Sequence, residues 1–169
     1  MAVAGIGLGS NLGDSIANLQ SARDYLALLS SNERVLNQAS LYQSSPVDCP
    51  ADSPDFVNTA LEICYNGSPE SLLAETQKFE TLLGRKPKTE HNEARLVDID
   101  ILYFDQCVLH TTTLELPHPR VHLRKFVLQP LQDICPNRIL PNQTLTISEL
   151  LERLNTNSEP PLKHLQSHW

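Results

Sequence analysis

The sequence Arg95-Leu96-Val97-Asp98-Ile99-Asp100-Ile101-Leu102-Tyr103-Phe104 decides the fold of this chain. It contains mostly apolar and β-branched residues and no Pro or Gly, a composition typical of a β-strand. Because strand side chains alternate between two faces, Asp98 and Asp100 share one face and the apolar residues beside them occupy the other. Two neighbouring carboxylates repel each other, so a shared divalent cation would stabilise them. Mg²⁺ suits such a pair, because it takes one or two protein carboxylates and completes its coordination with water and phosphates.

The same Asp-x-Asp pattern also fits a solvated edge strand that carries two ordinary surface acids. Arg95 stands three residues before the first of these acids. A metal ion beside a guanidinium group is the combination that phosphoryl transfer uses to neutralise charge. The stretch therefore favours an enzyme that acts on phosphates, with Arg95, Asp98 and Asp100 as its catalytic residues.

The size, charge and apolar content of the chain limit the functions that it can have. With 169 residues, of which 40% are hydrophobic, the chain is large enough for one domain with a real core. The formal charge of −7 argues against nucleic acid as the main partner. No apolar run approaches the roughly 18 residues of a membrane span, and the first residues predict a strand rather than a signal peptide. The four cysteines are scattered without C-x-x-C spacing, which favours reduced thiols. We expect a cytoplasmic monomer that binds neither nucleic acid nor membrane.

The order of predicted elements indicates a ferredoxin-like α+β sandwich. Strands are predicted at residues 3–8, 35–43, 56–65 and 95–104, with helices after Asp14 and after Ser68. This βαββαβ order builds an antiparallel sheet with two helices on one face. Thr146 and Glu149 form a capping box, which predicts a short helix in a C-terminal extension. We expect one domain over residues 1–155 and a frayed tail over residues 156–169.

Glycines cluster around the first predicted strand and the turn that follows it. After Gly7 and Gly9 the third glycine is Gly13, one position later than the G-x-G-x-x-G fingerprint of dinucleotide-binding folds requires. The glycines therefore predict close backbone packing and a tight turn rather than a dinucleotide site.

Phe56 and Asn58 are two residues apart on a predicted strand, so they are neighbours on one of its faces. An aromatic ring beside an amide group is suited to hold a flat heterocycle by stacking and hydrogen bonds. The alternative is a half-exposed phenylalanine beside a surface asparagine. The strand pattern alone does not decide between them.

Five short motifs occur in order within roughly residues 1–135. They are Gly9-Ser10-Asn11-Leu12-Gly13, Asp55-Phe56-Val57-Asn58, Glu80-x4-Arg85, Arg95-x2-Asp98-Ile99-Asp100-Ile101-Leu102 and Leu116-Pro117-His118-Pro119-Arg120. Together they resemble the family of 6-hydroxymethyl-7,8-dihydropterin pyrophosphokinases, enzymes of folate biosynthesis. The resemblance implies the same ferredoxin-like fold. It also implies transfer of a whole diphosphate from ATP to the hydroxymethyl group of the pterin, with release of AMP.

The resemblance also implies roles for individual residues. The pterin would be bound by Ser44, Val47, Phe56, Asn58 and Phe126, with the two phenyl rings on its two sides. ATP would be contacted by Gln77, Glu80, Arg85, Arg95, Ile99, His118 and Arg124. Asp98 and Asp100 would bind two Mg²⁺ ions that bridge the ATP phosphates, and Arg95 would complete the catalytic set.

The loop before the metal-binding strand departs from the family pattern. The family commonly has Arg-Trp-Gly-Pro-Arg there, and this chain has His91-Asn92-Glu93-Ala94-Arg95. The departure leaves open a relative that binds pterin or nucleotide but turns over weakly because its lid is altered. A further alternative is a metal-dependent nucleotidyl- or glycosyltransferase, for which the Phe56 and Asn58 slot would be incidental. Among these we expect the pyrophosphokinase.

Overall fold

One antiparallel sheet organises the chain, and the computed structural model describes residues 1–45, 54–84, 96–155 and 162–169 of it. The elements are β1 (Ala2–Ser10), α1 (Ser15–Leu29), β2 (Asn37–Gln38), β3 (Leu41–Ser44), β4 (Phe56–Tyr65), α2 (Pro69–Leu82), β5 (Asp98–Phe104), β6 (Leu109–His110), β7 (Glu115–Leu116), α3 (Lys125–Ile134), α4 (Ile147–Asn155) and β8 (Lys163–Gln166). The strand order in the main sheet is β5-β1-β4-β3-β8, with β2 paired beside β4. β6 and β7 form a separate small hairpin, and Val121–Leu123 form a 3₁₀ turn. The predicted βαββαβ order and the ferredoxin-like sandwich are confirmed.

Side-chain caps begin the helices where the sequence predicts them. Asp14 accepts a hydrogen bond from the Ala17 amide at 3.0 Å at the start of α1. Ser68 caps α2 in the same way. The predicted capping box opens α4, since the Thr146 amide donates to Glu149 Oε2 at 2.8 Å and the Glu149 amide donates back to Thr146 Oγ1 at 3.2 Å. Among the described helices, none combines the length and the apolar content needed to cross a membrane.

The sheet has an apolar core on each of its two faces. α1 and α2 cover the first face, where Ile6, Leu8, Leu19, Leu26, Leu61, Ile63, Leu72, Ile99 and Ile101 are buried together. α3 and α4 cover part of the second face with Ala60, Leu102, Tyr103, Leu128, Leu131, Ile147 and Leu150. Alternation along the strands places Asp98, Asp100 and Asn58 on this second face as well. The candidate site therefore lies on the part of the second face beyond the α3 and α4 core.

Glycines on β1 let bulky residues of β5 lie flat across the second face. A Cβ at Gly5 would overlap the Tyr103 ring, and one at Gly7 would lie 3.3 Å from Leu102 Cδ2. The register between β1 and β5 shifts between Gly5 and Ile6, so Leu102 is an extra residue on β5. The close backbone packing that the glycines predicted is confirmed here, and Gly13, with a φ of +67°, forms the predicted tight turn.

The predicted strand over residues 35–43 divides into β2 and β3 in the structure. The break follows competing hydrogen bonds at Ala39 and Ser40. The Ala39 carbonyl accepts from Thr59 Oγ1 at 3.2 Å and from Trp169 Nε1 at 2.9 Å, and the Ser40 amide donates to Asp133 Oδ2 at 3.0 Å. Side chains thus take the backbone groups that a continuous ladder would use.

The expectation of a frayed C-terminal tail is wrong for residues 162–169. β8 pairs with β3 and adds an edge strand to the sheet. The indole of Trp169 is anchored to the Ala39 carbonyl, and the Arg23 guanidinium lies 5.2 Å from its ring centre. Ladder hydrogen bonds and this anchor hold the segment although it has no strong apolar pattern. Residues 156–161 of the expected tail lie outside the described residues.

Candidate active site

Residues of four adjacent strands form one transverse row on the second face of the sheet. Gly9 on β1 lies opposite Asp98 on β5 and opposite Asn58 on β4, and Asn58 in turn lies opposite Tyr42 on β3. Directly opposed residues share a face, so these side chains project to the same side. With strands about 4.8 Å apart, the backbones of Asp98 and Asn58 are about 10 Å apart. Gly9 contributes no side chain, so no side chain of β1 separates them in this row.

Asp98 and Asp100 are both partly buried and project from alternate positions of β5, as predicted. They are hard oxygen ligands. Among the described residues no group of three or more His, Cys, Asp and Glu is placed to hold a metal ion. Two carboxylates alone do not suit a structural zinc site, which takes four nitrogen or sulfur ligands. They suit Mg²⁺, which binds through one or two carboxylates and takes its remaining ligands from water and substrate phosphates.

Glu80 holds strand β5 from the side of α2. It is a buried carboxylate, 3% exposed, and its Oε1 accepts a hydrogen bond from the Ile99 amide at 2.9 Å. Ile99 stands between the two aspartates, and its side chain is packed in the first core. A contact between Ile99 and a ligand would therefore use its backbone. Gln77, one turn earlier on α2, is exposed.

The predicted pterin-binding residues Ser44, Phe56 and Asn58 lie on the second face of the sheet, and Phe126 lies on α3. Asn58 is 5% exposed and donates from Nδ2 to Ser44 Oγ at 2.9 Å, and Ser44 lies opposite Phe56 in the β3–β4 register. Phe56 is partly buried on the same face as Asn58. Phe126 is partly buried in the first turn of α3, the helix that packs on this face. The arrangement places an amide edge and an aromatic ring on the sheet and a second ring on the helix.

His118 is joined to β5 at the bulge. Its amide donates to the Leu102 carbonyl at 2.8 Å, and its Nδ1 accepts from the Arg120 amide at 3.2 Å. This second bond assigns the ring proton to Nε2. Burial, followed by the charges of Arg124 and Arg120, lowers the pKa of His118 to about 4, against smaller opposing effects of Glu115 and Asp98. The ring is therefore neutral at pH 7 and has an Nε2–H to donate.

Arg124 brings positive charge to the two aspartates. Burial and Arg120 lower the pKa of Arg124, while Asp100 and Asp98 oppose that shift, which shows that the guanidinium is within electrostatic range of both carboxylates. An arginine remains charged despite such a shift. Its guanidinium carbon also lies 5.4 Å from the centre of the Phe126 ring, in a cation–π contact. Arg124 thus contacts Phe126 and lies within electrostatic range of both carboxylates.

Three predicted site residues lie outside the described residues: Val47, Arg85 and Arg95. The lid substitutions at residues 91–94 lie outside them too. The roles proposed for these positions stay predictions.

Two residues near the site are not predicted from the sequence. Tyr42 is the next residue in the row beyond Asn58, and it is 8% exposed. Its position depends on the β3–β4 register, which residue spacing does not reveal. Lys125, 8% exposed, begins α3 between Arg124 and Phe126. A lysine in a run of charged residues normally indicates a solvated surface, so its burial had no signal in the sequence.

An antiparallel α+β sheet that carries two carboxylates close to an arginine and a neutral histidine is suited to binding phosphates, as the transferases that act on phosphates do. The family model described as 7,8-dihydro-6-hydroxymethylpterin-pyrophosphokinase (HPPK) matches residues 5–136. The chain therefore belongs to the HPPK family.

Curated relatives agree with this assignment. The chain is 36% identical over 153 residues to the 2-amino-4-hydroxy-6-hydroxymethyldihydropteridine pyrophosphokinase of Haemophilus influenzae, covering 90% of this chain and 93% of the relative. It is 39% identical over 135 residues to the Bacillus subtilis protein of the same name, covering 79% of this chain and 78% of the relative. A folic acid synthesis protein of Pneumocystis carinii is 34% identical over 157 residues, which are 93% of this chain and only 21% of that relative.

A crystal structure of Plasmodium falciparum HPPK-DHPS with pteroate has a similar fold, with a TM-score of 0.77 at 14% identity. The match covers 96% of this chain and 47% of that one. The chain thus spans about half of that solved protein.

Proposed function

We propose that this chain catalyses ATP-dependent transfer of diphosphate to the hydroxymethyl group of 6-hydroxymethyl-7,8-dihydropterin, releasing AMP, in folate biosynthesis. The observation that carries the proposal is the row in which Asp98 and Asn58 lie on opposite sides of Gly9. It sets a carboxylate pair suited to polyphosphate next to an amide edge suited to a heterocycle. Membership of the HPPK family supports the same activity.

The pterin binds, in this proposal, between Phe56 and Phe126, with its polar edge on Asn58. Ser44 Oγ accepts from Asn58 Nδ2 and so orients the amide, which leaves Asn58 Oδ1 to accept from the heterocycle. Stacking on two rings fixes the plane of the ligand, and the amide fixes its rotation within that plane. Val47 is proposed as a further contact from the sequence alone.

ATP binds on the side of β5 in this proposal, with two Mg²⁺ ions held by Asp98 and Asp100. Bound Mg²⁺ would neutralise phosphate charge and make the β-phosphorus more electrophilic. The residues proposed to contact ATP are Gln77, Glu80, Arg85, Arg95, Ile99, His118 and Arg124. His118 contributes a neutral Nε2–H donor, and Arg124 contributes fixed positive charge close to both aspartates.

The reaction is an in-line displacement. The hydroxymethyl oxygen forms a bond to the β-phosphorus, the bond from that phosphorus to the α,β-bridging oxygen breaks, and AMP leaves with the bonding electrons. The hydroxyl proton passes to solvent. The slot holds the hydroxymethyl group in position for attack, and the arginines Arg95 and Arg124 stabilise the charge that develops on the bridging oxygen.

The wider setting of the enzyme is also a proposal. We assign one catalytic domain that includes residues 1–155 together with the sheet strand β8, and we expect a monomer in the cytoplasm, without nucleic acid or membrane partners. The charge of −7 supports the first exclusion. Among the described cysteines, Cys64, Cys107 and Cys135 are free thiols, as in a reducing compartment.

The test is release of AMP from ATP and Mg²⁺ with and without 6-hydroxymethyl-7,8-dihydropterin. Pterin-dependent AMP with a stoichiometric diphosphorylated pterin is the expected result. Saturable pterin binding without AMP would instead identify the weakly active binding relative. If the protein neither binds the pterin nor releases AMP, the Asp-x-Asp pair serves another transferase reaction and the proposal is overturned.

A further inference from the structure

Tyr42 links the sheet to α3 at the edge of the site. Its hydroxyl lies 3.0 Å from Oδ1 and 3.1 Å from Oδ2 of Asp133, a carboxylate on α3. The same carboxylate accepts from the Ser40 amide at 3.0 Å. Asp133 therefore holds β3 and the residue just before it through two separate donors.

The link joins the two halves of the aromatic slot, which are Phe56 with Asn58 on the sheet and Phe126 on α3. Tyr42 lies directly opposite Asn58, and the β3–β4 pairing continues through Gln43 and Ser44 to Phe56. On the other half, Asp133 stands seven residues after Phe126 on α3, so the two side chains project from the same side of the helix about 10 Å apart. The side of α3 that carries one ring is thus fastened to the strands that carry the other ring and the amide.

The surroundings of Tyr42 keep its hydroxyl a hydrogen-bond donor. Burial raises the pKa of Tyr42 first, and the hydrogen bond and charge of Asp133 raise it further. The ring of His164 on β8 packs edge-on against Tyr42, with ring centres 5.6 Å apart at an angle of 78°. The tail strand and α3 therefore fix the tyrosine from two sides.

We propose that Tyr42 and Asp133 form a positioning pair that sets the separation between Phe126 on α3 and the Phe56 and Asn58 edge of the sheet. The pair does not contact the reacting atoms; it determines how well a flat heterocycle fits the slot. The inference rests on the proposed function in one respect, that the slot holds the pterin.

The chain offers a matched control for this inference. The Tyr25 hydroxyl donates to Glu75 Oε2 at 2.8 Å and joins α1 to α2 on the first face, away from the site. The two tyrosines make the same kind of bond to a carboxylate. Tyr25→Phe and Tyr42→Phe therefore both remove one tyrosine–carboxylate hydrogen bond, and only Tyr42→Phe removes it beside the slot.

The experiment measures KM for pterin, KM for ATP, kcat and thermal unfolding for the wild type, Tyr42→Phe, Asp133→Ala, their double variant and Tyr25→Phe. We expect Tyr42→Phe to raise the pterin KM about tenfold, as loss of a hydrogen bond to a charged group allows, with ATP KM within about twofold. Tyr25→Phe should lower Tm by a similar amount and leave both KM values unchanged. The double variant should be no worse for pterin than Asp133→Ala, because both changes remove one contact.

Equal changes in both KM values, or a pterin KM in Tyr42→Phe that matches Tyr25→Phe, would overturn the positioning role while leaving the pyrophosphokinase activity intact. Absence of pterin-dependent AMP in the wild type would overturn the proposed function and this inference with it. Equilibrium binding of the pterin, followed by its fluorescence with a non-hydrolysable ATP analogue present, separates affinity from turnover. A loss of affinity confined to the Tyr42 and Asp133 variants is the supporting result.

Discussion

Asp98 and Asn58 lie opposite the same residue, Gly9, on the two sides of β1. The carboxylate that we assign to metal and the amide that we assign to pterin thus belong to a single row of the sheet. Their spacing follows from the strand spacing, because β1 pairs directly with both neighbouring strands. No loop has to close to bring the backbones of these two residues into this relation, so the sheet itself sets the distance between Asp98 and Asn58.

Gly9→Ala should weaken pterin binding selectively. A Cβ at this position would lie 3.3 Å from Asn58 Oδ1 and, among the described residues, within 4 Å of no other atom beyond its chain neighbours, so the amide must shift by a few tenths of an ångström. We expect a rise in pterin KM of about tenfold, approaching that of Asn58→Ala, because a buried amide loses its aligned partner. Steady-state kinetics with each substrate varied in turn measures the effect.

Gly7→Ala is the control for this prediction. Its Cβ would meet Leu102 Cδ2 at the same distance, 3.3 Å, on the same face of the same strand. That variant should lose stability without a selective loss of pterin affinity. If both variants weaken pterin and ATP equally, Asn58 belongs to the scaffold and does not bind the heterocycle.

Asp98→Asn and Asp100→Asn should each abolish transfer while the protein stays folded. Each substitution keeps the shape of the side chain and removes one charged oxygen ligand for Mg²⁺. It also removes one member of a like-charged pair, so unfolding free energy should change by less than about 1 kcal/mol. AMP release across a range of Mg²⁺ concentrations, together with urea unfolding, measures both effects.

Asp105→Asn provides the comparison at the end of the same strand. Asp105 Oδ1 accepts from the Val3 amide at 2.9 Å, and the residue is exposed. Turnover should be unchanged in this variant. Near-normal turnover of Asp98→Asn or Asp100→Asn at saturating Mg²⁺ would remove the metal assignment from that aspartate.

Period-two alternation within a strand was enough to predict the pairs Asp98/Asp100 and Phe56/Asn58, because both members lie on one continuous strand. The bounds of β4 were also predictable, since its apolar run ends at the turn residues Asn66 and Gly67. The residues that neighbour these pairs on adjacent strands were not predictable. Tyr42 reaches Asn58 only through the β3–β4 register, which is a long-range property of the sheet.

Two elements escaped prediction for local reasons. β8 consists of four residues, of which Lys163, His164 and Gln166 are polar, so pairing and the anchored Trp169 stabilise it rather than an apolar face. α3 contains Pro130 in its interior and follows a segment rich in proline. Both features indicate a loop when read locally, and packing of Leu128 and Leu131 on the sheet overrides them.

His118 should make the folded protein less stable as pH falls from 6.5 to 4. Its pKa is lowered from 6.5 to about 4 in the folded state, so in this window the unfolded chain binds the proton and the folded protein does not. The loss is at most about 3 kcal/mol, is complete near pH 4, and is absent above the unfolded pKa. Urea unfolding at several pH values measures it.

His118→Asn is the informative variant, because the asparagine oxygen replaces Nδ1 as acceptor for the Arg120 amide and does not titrate. The stability of the wild type relative to His118→Asn should therefore fall between pH 6.5 and 4. A constant difference between wild type and His118→Asn across this range would contradict the lowered pKa.

Glu80 allows a test between two roles, contact with ATP and support of the metal-binding strand. Its Oε1 accepts from the Ile99 amide between the two aspartates, so loss of this acceptor should let β5 shift and misplace both carboxylates. Glu80→Gln retains an oxygen acceptor of the same length and should keep kcat within about threefold. Glu80→Leu fills the space without an acceptor and leaves a buried amide unpaired, so kcat should fall by about 30-fold or more. ATP affinity, measured separately, should stay near that of the wild type in Glu80→Gln if strand support is the role. Equal loss of activity in Glu80→Gln and Glu80→Leu would show instead that the negative charge matters, and would favour contact with ATP over support of the strand.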